Sequence, residues 1–153
     1  MKRILFVCTG NTCRSPMAMA LFNRLVLQEG PGYGFKAASA GLSAFEGESA
    51  STNAVLAMRD HPGCDLTSHR AHQLDKTDME NACLILTMSV NHKQYIDSLF
   101  HGMYRNVYAL KEYVYGRYED VKDPFGGSLQ VYRQCAAEIS EAIGLLFEKL
   151  KKT

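Results

Sequence analysis

Short apolar runs alternate with segments of helical periodicity along this chain, and this alternation limits the folds that it can adopt. Strands are predicted over residues 3–8, 35–40, 82–88 and 105–110, and helices over residues 16–27, 49–59, 91–99 and 129–149. Parallel strands need a long crossover, which a helix usually provides. The pattern therefore predicts an α/β fold in which helices cover both faces of a parallel sheet. Residues 111–127 are predicted as a long loop with one helical turn.

The composition is typical of one globular domain over residues 1–153. Hydrophobic residues make up 46% of the chain, enough for a core that needs no disulfide or metal. The net charge of +1 argues against nucleic-acid binding. The apolar runs are too short for a signal peptide or a membrane span, and the five cysteines show no paired spacing. We expect a cytoplasmic monomer with free thiols and no cofactor.

The loop after the first predicted strand carries the most informative pattern. The segment from Cys8 to Ser15 reads CTGNTCRS and leads directly into the first helix. In open α/β sheets, ligands bind beyond the carboxyl ends of the strands. Gly10 and Asn11 tolerate positive φ angles, so this loop can turn its backbone N–H groups inward. Such a concavity at a helix N-terminus binds anions.

The same loop contains the groups that phosphoryl transfer requires. The nucleophile would be the thiolate of Cys8, whose ionised form is favoured by a helix N-terminus and a ring of N–H groups. Arg14 has a planar guanidinium group, which can donate hydrogen bonds to two phosphate oxygens at once. Ser15 can donate a hydrogen bond to the thiolate. Each residue alone would suit an ordinary strand end and loop, but together they predict a cysteine-dependent phosphatase.

The segment from Val7 to Ala18 resembles the signature of the low-molecular-weight protein tyrosine phosphatases. The similarity continues at residues 39–41, 68–70, 86–88 with Asn91, and 123–124, and the chain departs from the family pattern at Met19 and Cys83. The resemblance implies a three-layer fold with a four-stranded parallel sheet between helices. It also implies a metal-free, two-step reaction on phosphorylated proteins through a cysteinyl-phosphate.

The resemblance further implies the roles of individual residues. Asp123, in an Asp-Pro pair that would otherwise suggest an ordinary turn, becomes the general acid and then the base, ahead of Glu119 and Asp120. His69 and Ser39 would hold the phosphate-binding loop. Substrate contacts would come from Thr9, Gly10, Asn11, Thr12, Cys13, Arg14, Ser15 and Phe125.

Two positions bear on which phosphorylated residue is the substrate. Tyrosine-directed members of the family usually have a bulky aliphatic residue at the position of Thr12 and two aromatic residues after the Asp-Pro pair. Here the chain has Thr12 and a single Phe125, a pattern that resembles the bacterial protein-arginine phosphatase branch. We therefore expect phosphoarginine as substrate, with phosphotyrosine as the alternative.

Other cysteines and histidines suggest further possibilities. By resemblance, Cys13 can form a reversible disulfide with Cys8 and protect it from over-oxidation. Cys64, His69, His72 and Cys83 do not match a zinc-ligand spacing, so no metal site is expected. Related arsenate reductases carry cysteines after the third strand, and residues 88–95 contain none. A silent phospho-binding module would lack the nucleophile or the acid, and both are present.

Overall fold

The computed structural model describes residues 1–153 and contains one sheet of four parallel strands in the order β2-β1-β3-β4. The strands are β1 (Lys2–Cys8), β2 (Phe35–Gly41), β3 (Leu84–Thr87) and β4 (Val107–Ala109). The helices are α1 (Arg14–Glu29), α2 (Thr52–Ala57), α3 (Lys76–Asn81), α4 (Val90–Leu99), α5 (Leu110–Tyr115) and α6 (Leu129–Lys151). The predicted α/β fold with a four-stranded parallel sheet is confirmed. No helix combines the length and the apolar character needed to span a membrane.

Side chains of β1 alternate between the two faces of the sheet and bind the three layers together. Phe6 and its even-numbered neighbours face the larger core, formed with α1, α2 and α6. Leu5 and Val7 face the smaller core, which contains Met79 of α3 and Ile96 of α4. Because both faces are covered, β1 is a nearly continuous apolar run, as central parallel strands usually are. The polar residues that follow Cys8 therefore lie beyond the carboxyl end of this strand, where the loop begins.

The starts of two helices differ from the sequence prediction by two or three residues. Helix α1 begins at Arg14, two residues earlier than predicted, so Arg14 and Ser15 lie in its first turn. Helix α2 begins at Thr52 rather than at residue 49, because the Ser51 side chain accepts a hydrogen bond from the Ala54 N–H and caps the helix. Ser49 instead forms an antiparallel bridge with Arg70.

Helix α3, of six residues, was not predicted, and α5, also of six residues, lies where a single helical turn was predicted within a long loop. Both are too short for apolar periodicity to reveal them, and their starts are set by side-chain hydrogen bonds. At α3 the Asp75 carboxylate accepts from the Asp78 N–H, while the Asp78 carboxylate accepts from the Asp75 N–H. This reciprocal capping box was the available sequence signal. Helix α5 occupies the start of the segment predicted as a long loop.

An aromatic cluster connects α1, β2 and α6 in the larger core. The ring of Phe22 lies 6.0 Å from that of Phe6, 6.2 Å from Phe35 and 5.8 Å from Phe147, measured between centroids. Edge-to-face contacts of this kind add to the free energy gained by burying the rings. The cluster therefore fixes α1, and with it the end of the phosphate-binding loop, against the sheet.

We expect Phe147→Ala to lower the free energy of unfolding by about 3–5 kcal/mol, because it leaves a cavity among packed rings. Leu145→Ala, two residues away on the same helix but 46% exposed, should cost less than about 1 kcal/mol. Urea denaturation of both variants measures the difference. Similar losses in the two variants would contradict the proposed importance of the ring cluster.

Candidate active site

The phosphate-binding loop connects β1 to α1 and packs against the end of β2. The Leu42 N–H donates to the Cys8 carbonyl at 3.0 Å, and the Ser43 N–H donates to the Thr9 carbonyl at 2.9 Å. A Cβ atom at Gly41 would lie 2.7 Å from the Thr9 oxygen and 3.0 Å from the Asn11 nitrogen. Glycine is therefore required here, because any side chain would push the loop away from the sheet.

Asn11 holds the loop in its curved shape. Its backbone is left-handed, with a φ of 57°, and the residue is fully buried. The Asn11 Oδ1 accepts from the His72 backbone N–H at 2.9 Å, while its Nδ2 donates to Ser15 Oγ at 2.8 Å. The Asn11 carbonyl oxygen lies 2.8 Å from His69 Nε2. Burial lowers the pKa of His69, which favours a neutral ring with Nε2 as the donor.

Cys8 lies at the base of the loop beside Ser15. The distance from Cys8 Sγ to Ser15 Oγ is 2.9 Å, and both side chains are buried. Because Asn11 Nδ2 can only donate, Ser15 Oγ accepts that hydrogen bond and keeps its own proton available. The nearest acceptor for this proton is the Cys8 sulfur, since the Ala40 carbonyl oxygen is 3.5 Å away. The arrangement can therefore stabilise a thiolate.

Arg14 connects the loop to the segment that carries Asp123. Its side chain is buried, with Nη1 donating to the Val121 carbonyl at 2.9 Å and Nη2 lying 3.5 Å from Asp123 Oδ2. The Val121 N–H in turn donates to the Met88 carbonyl at 2.8 Å, just after β3. Asp123 Oδ1 accepts from the Phe125 N–H at 3.1 Å, which turns the chain at this point. Two residues about 110 positions apart thus meet at the carboxyl edge of the sheet.

These groups surround a cavity of about 310 Å³. Eight of the predicted site residues line it: Cys8, Thr9, Gly10, Thr12, Cys13, Arg14, Asp123 and Phe125. Asn11 and Ser15 do not line the cavity. Their side chains are buried on the other side of the loop backbone and hydrogen-bond to each other. Three further lining residues, Ser43, Phe45 and Glu48, were not predicted. They follow β2 at the carboxyl edge of the sheet, and that position was the signal that could have revealed them.

The family model described as low molecular weight phosphotyrosine protein phosphatase matches residues 3–153. This chain belongs to that family. A protein-arginine-phosphatase of Bacillus subtilis is 45% identical over 150 residues, covering 97% of both chains. A low molecular weight protein-tyrosine-phosphatase of Staphylococcus haemolyticus is 39% identical over 144 residues, covering 94% of this chain and 96% of its own. Membership in this family confirms the phosphatase predicted from the sequence.

One solved structure that is similar to the chain in fold records a modified active site. It is a mutant of the YwlE arginine phosphatase with a phosphorylated active-site serine. The TM-score is 0.90 at 42% identity, with 98% of this chain and 96% of the other covered. A phosphorylated side chain at the active site of such a relative is what a covalent phosphoenzyme mechanism requires.

Ser39 does not contact the phosphate-binding loop of this phosphatase in the way that was predicted. Its side chain makes no hydrogen bond, and Ser39 pairs through the backbone with Phe6 in the sheet. The contact from β2 to the loop comes instead from the Ala40 carbonyl oxygen, 3.5 Å from Ser15 Oγ. The partners that hold Asn11 are Ser15, His69 and His72, and no hydrogen bond from Ser39 is among them.

Cys13 lines the cavity and also contacts the start of α2 and helix α6 through its sulfur. Its Sγ lies 3.2 Å from Ser51 Oγ and 3.6 Å from the Tyr132 hydroxyl. Burial and then the contact with Cys13 raise the pKa of Tyr132 to about 12, so the phenol stays protonated and can donate. Cys8 and Cys13 are both free thiols in this structure.

Of the four residues considered as zinc ligands, only His72 lies in a group of possible ligand atoms, with Asp75 and Asp78. Its Nε2 is 2.7 Å from Asp78 Oδ2 and its Nδ1 is 3.2 Å from Glu46 Oε2. Burial opposes protonation, but these two hydrogen bonds outweigh it and raise the pKa of His72. Both ring nitrogens therefore already have partners within the protein.

His92, on α4, contacts the loop at Thr9, next to Cys8, and was missed by the sequence analysis. Its Nε2 lies 2.9 Å from Thr9 Oγ1, and the residue is only 9% exposed. Burial, and then the positive charge of Arg14, lower the pKa of His92 to about 4. The ring is therefore neutral at pH 7, and its Nδ1 is buried without a hydrogen-bond partner.

We expect the stability of this phosphatase to depend on pH through His92. The unfolded imidazole has a pKa of about 6.5, whereas the folded one has a pKa of about 4, so the unfolded state binds a proton first. The stability linked to neutral His92 is complete above pH 6.5 and is lost as the pH falls towards 4, up to about 3 kcal/mol.

Denaturant unfolding at pH 7 and pH 4.5 tests this expectation. His92→Asn keeps a polar side chain that does not titrate, so its stability should fall less between the two pH values than that of the wild type. An identical fall in both proteins would contradict the assignment.

Proposed function

We propose that this protein hydrolyses phosphoarginine in proteins through a cysteinyl-phosphate intermediate. The proposal rests on one observation. Four residues with the required chemistry line the same cavity: Cys8, Thr12, Arg14 and Asp123. A protein-arginine-phosphatase with 45% identity and the phosphorylated YwlE mutant support it. The relative named a tyrosine phosphatase, at 39% identity, makes phosphotyrosine the second candidate.

In the first step, the Cys8 thiolate attacks the phosphorus atom. The inward N–H groups of the loop and the Arg14 guanidinium bind the phosphoryl oxygens. The S–P bond forms as the P–N bond of phosphoarginine breaks, and protonated Asp123 gives its proton to the leaving nitrogen. The exposed position of Asp123 beside Arg14 allows this contact with the leaving group.

In the second step, water attacks the phosphorus atom of the cysteinyl-phosphate. The Asp123 carboxylate takes a proton from the water, so the residue returns to its starting form. The S–P bond breaks, phosphate leaves the cavity, and the Cys8 thiolate is regenerated. The Ser15 hydroxyl, 2.9 Å from the sulfur, stabilises the leaving thiolate. His69 and Asn11 are proposed to keep the loop in the conformation that both steps use.

Thr12 is the residue proposed to favour phosphoarginine over phosphotyrosine. It lines the cavity, and its backbone is fixed because its carbonyl accepts from the Ser51 N–H at 2.9 Å. A hydroxyl there can hydrogen-bond beside the reacting phosphorus or orient the attacking water. A branched alkyl group at the same position would favour an aromatic ring instead.

We expect Asp123→Asn to lower kcat by about 100- to 10,000-fold, because the variant has no proton donor for the leaving group. Binding of vanadate, a phosphate analogue, should persist, since the loop and Arg14 are unchanged. Asp120→Asn is the matched control: Asp120 accepts a hydrogen bond from the Val90 N–H and does not line the cavity. A near-normal rate for Asp123→Asn would assign the acid role to another group.

The wild type should have a higher kcat/KM for phosphoarginine peptides than for matched phosphotyrosine peptides. Thr12→Val removes the hydroxyl with little change in shape and should lower the phosphoarginine value by about 10-fold, the effect of one hydrogen bond. Thr12→Ser should retain most of it, and Thr12→Ile should shift the preference towards phosphotyrosine. An equal or higher efficiency of the wild type on phosphotyrosine would overturn the proposal.

A further inference from the structure

Glu48 is a charged residue of the cavity wall with no partner for its carboxylate. The side chain is exposed and makes no hydrogen bond or ion pair within the protein. Its neighbour Glu46 differs, because that carboxylate binds the His72 ring at 3.2 Å and the Gln73 N–H at 2.9 Å. An unpaired carboxylate in the wall of this cavity repels a phosphoryl group. The same carboxylate attracts a cationic part of a ligand, if the ligand has one.

The backbone of Glu48 is held in place on both sides. Its N–H donates to the Phe45 carbonyl at 3.0 Å, and its carbonyl accepts from the Ala71 N–H at 2.7 Å. The next residue, Ser49, forms an antiparallel bridge with Arg70. The backbone that places Glu48 at the cavity is therefore fixed by the fold, while its side chain is free to meet a ligand.

The charges around the cavity leave Glu48 available for a cation. The three charged lining residues are Arg14, Asp123 and Glu48. In the proposed reaction, Arg14 binds the phosphoryl oxygens, and Asp123, 3.5 Å from Arg14, protonates the leaving nitrogen. A phosphoarginine side chain brings a planar guanidinium with further N–H donors beyond the one at the breaking bond. A phosphotyrosine ring brings no positive charge.

We propose that Glu48 is a substrate-binding residue that pairs with the guanidinium of phosphoarginine. The inference rests on the proposed function and deepens it, because it adds a residue outside the phosphate-binding loop that recognises the cationic part of the substrate. The pair lies near solvent, so it contributes a modest, salt-sensitive part of the affinity. It leaves the attack by Cys8 unchanged.

Steady-state kinetics of Glu48→Gln tests the proposal, with blocked phosphoarginine and para-nitrophenyl phosphate as substrates. We expect KM for phosphoarginine to rise by about 3- to 10-fold with kcat retained, and the rise to shrink in high salt. Glu48→Lys should raise KM further. The values for para-nitrophenyl phosphate, which has no cation, should not increase. Glu46→Gln is the matched control and should leave both substrates unaffected.

The outcomes separate this inference from the proposed function. If the wild type does not hydrolyse phosphoarginine, both are overturned. If the wild type is active on phosphoarginine and Glu48→Gln has the same KM, only the role of Glu48 is overturned. An equal loss on para-nitrophenyl phosphate would also overturn it, because the substitution would then act on the loop rather than on the guanidinium.

Discussion

The hydrogen bonds of Asn11 are the constraint on which the site depends. A non-glycine residue in a left-handed conformation is unfavourable unless its surroundings stabilise it. Here both ends of the side chain and the backbone carbonyl have partners, in His72, Ser15 and His69. The same bonds set the direction of the Ser15 proton towards the Cys8 sulfur. The same hydrogen bonds of Asn11 therefore determine both the shape of the loop and the hydrogen bond that Ser15 offers to the Cys8 sulfur.

The carboxyl edge of the sheet brings together residues from three separate parts of the chain. The loop after β1 supplies Cys8 and Arg14, the segment after β2 supplies Glu48, and the segment anchored to the end of β3 through Val121 supplies Asp123. Each segment is fixed by backbone hydrogen bonds near the sheet. The positions of the reacting groups consequently follow from the fold, with little contribution from flexible side chains.

The sequence predicted the sheet and the phosphate-binding loop because both depend on local patterns. A buried strand, the residue types from Cys8 to Ser15 and a helix start are all visible within a short stretch. Asp123 needed a family resemblance, since an isolated Asp-Pro pair is usually a turn. His92 and Glu48 were missed because their positions depend on packing between distant segments.

Gly41 has a consequence for how the wall of the cavity can vary. Because the glycine lets β2 pack directly on the loop, the segment after it is attached at Ser43, through the Thr9 carbonyl, and again at Glu48, through Ala71. Residues 44–47, between these two attachments, make none of the hydrogen bonds that hold Asn11 or Cys8. The segment that carries Phe45 and Glu48 is thus anchored separately from the loop that carries Thr12 and Arg14, and mutation there can change the wall of the cavity without displacing that loop.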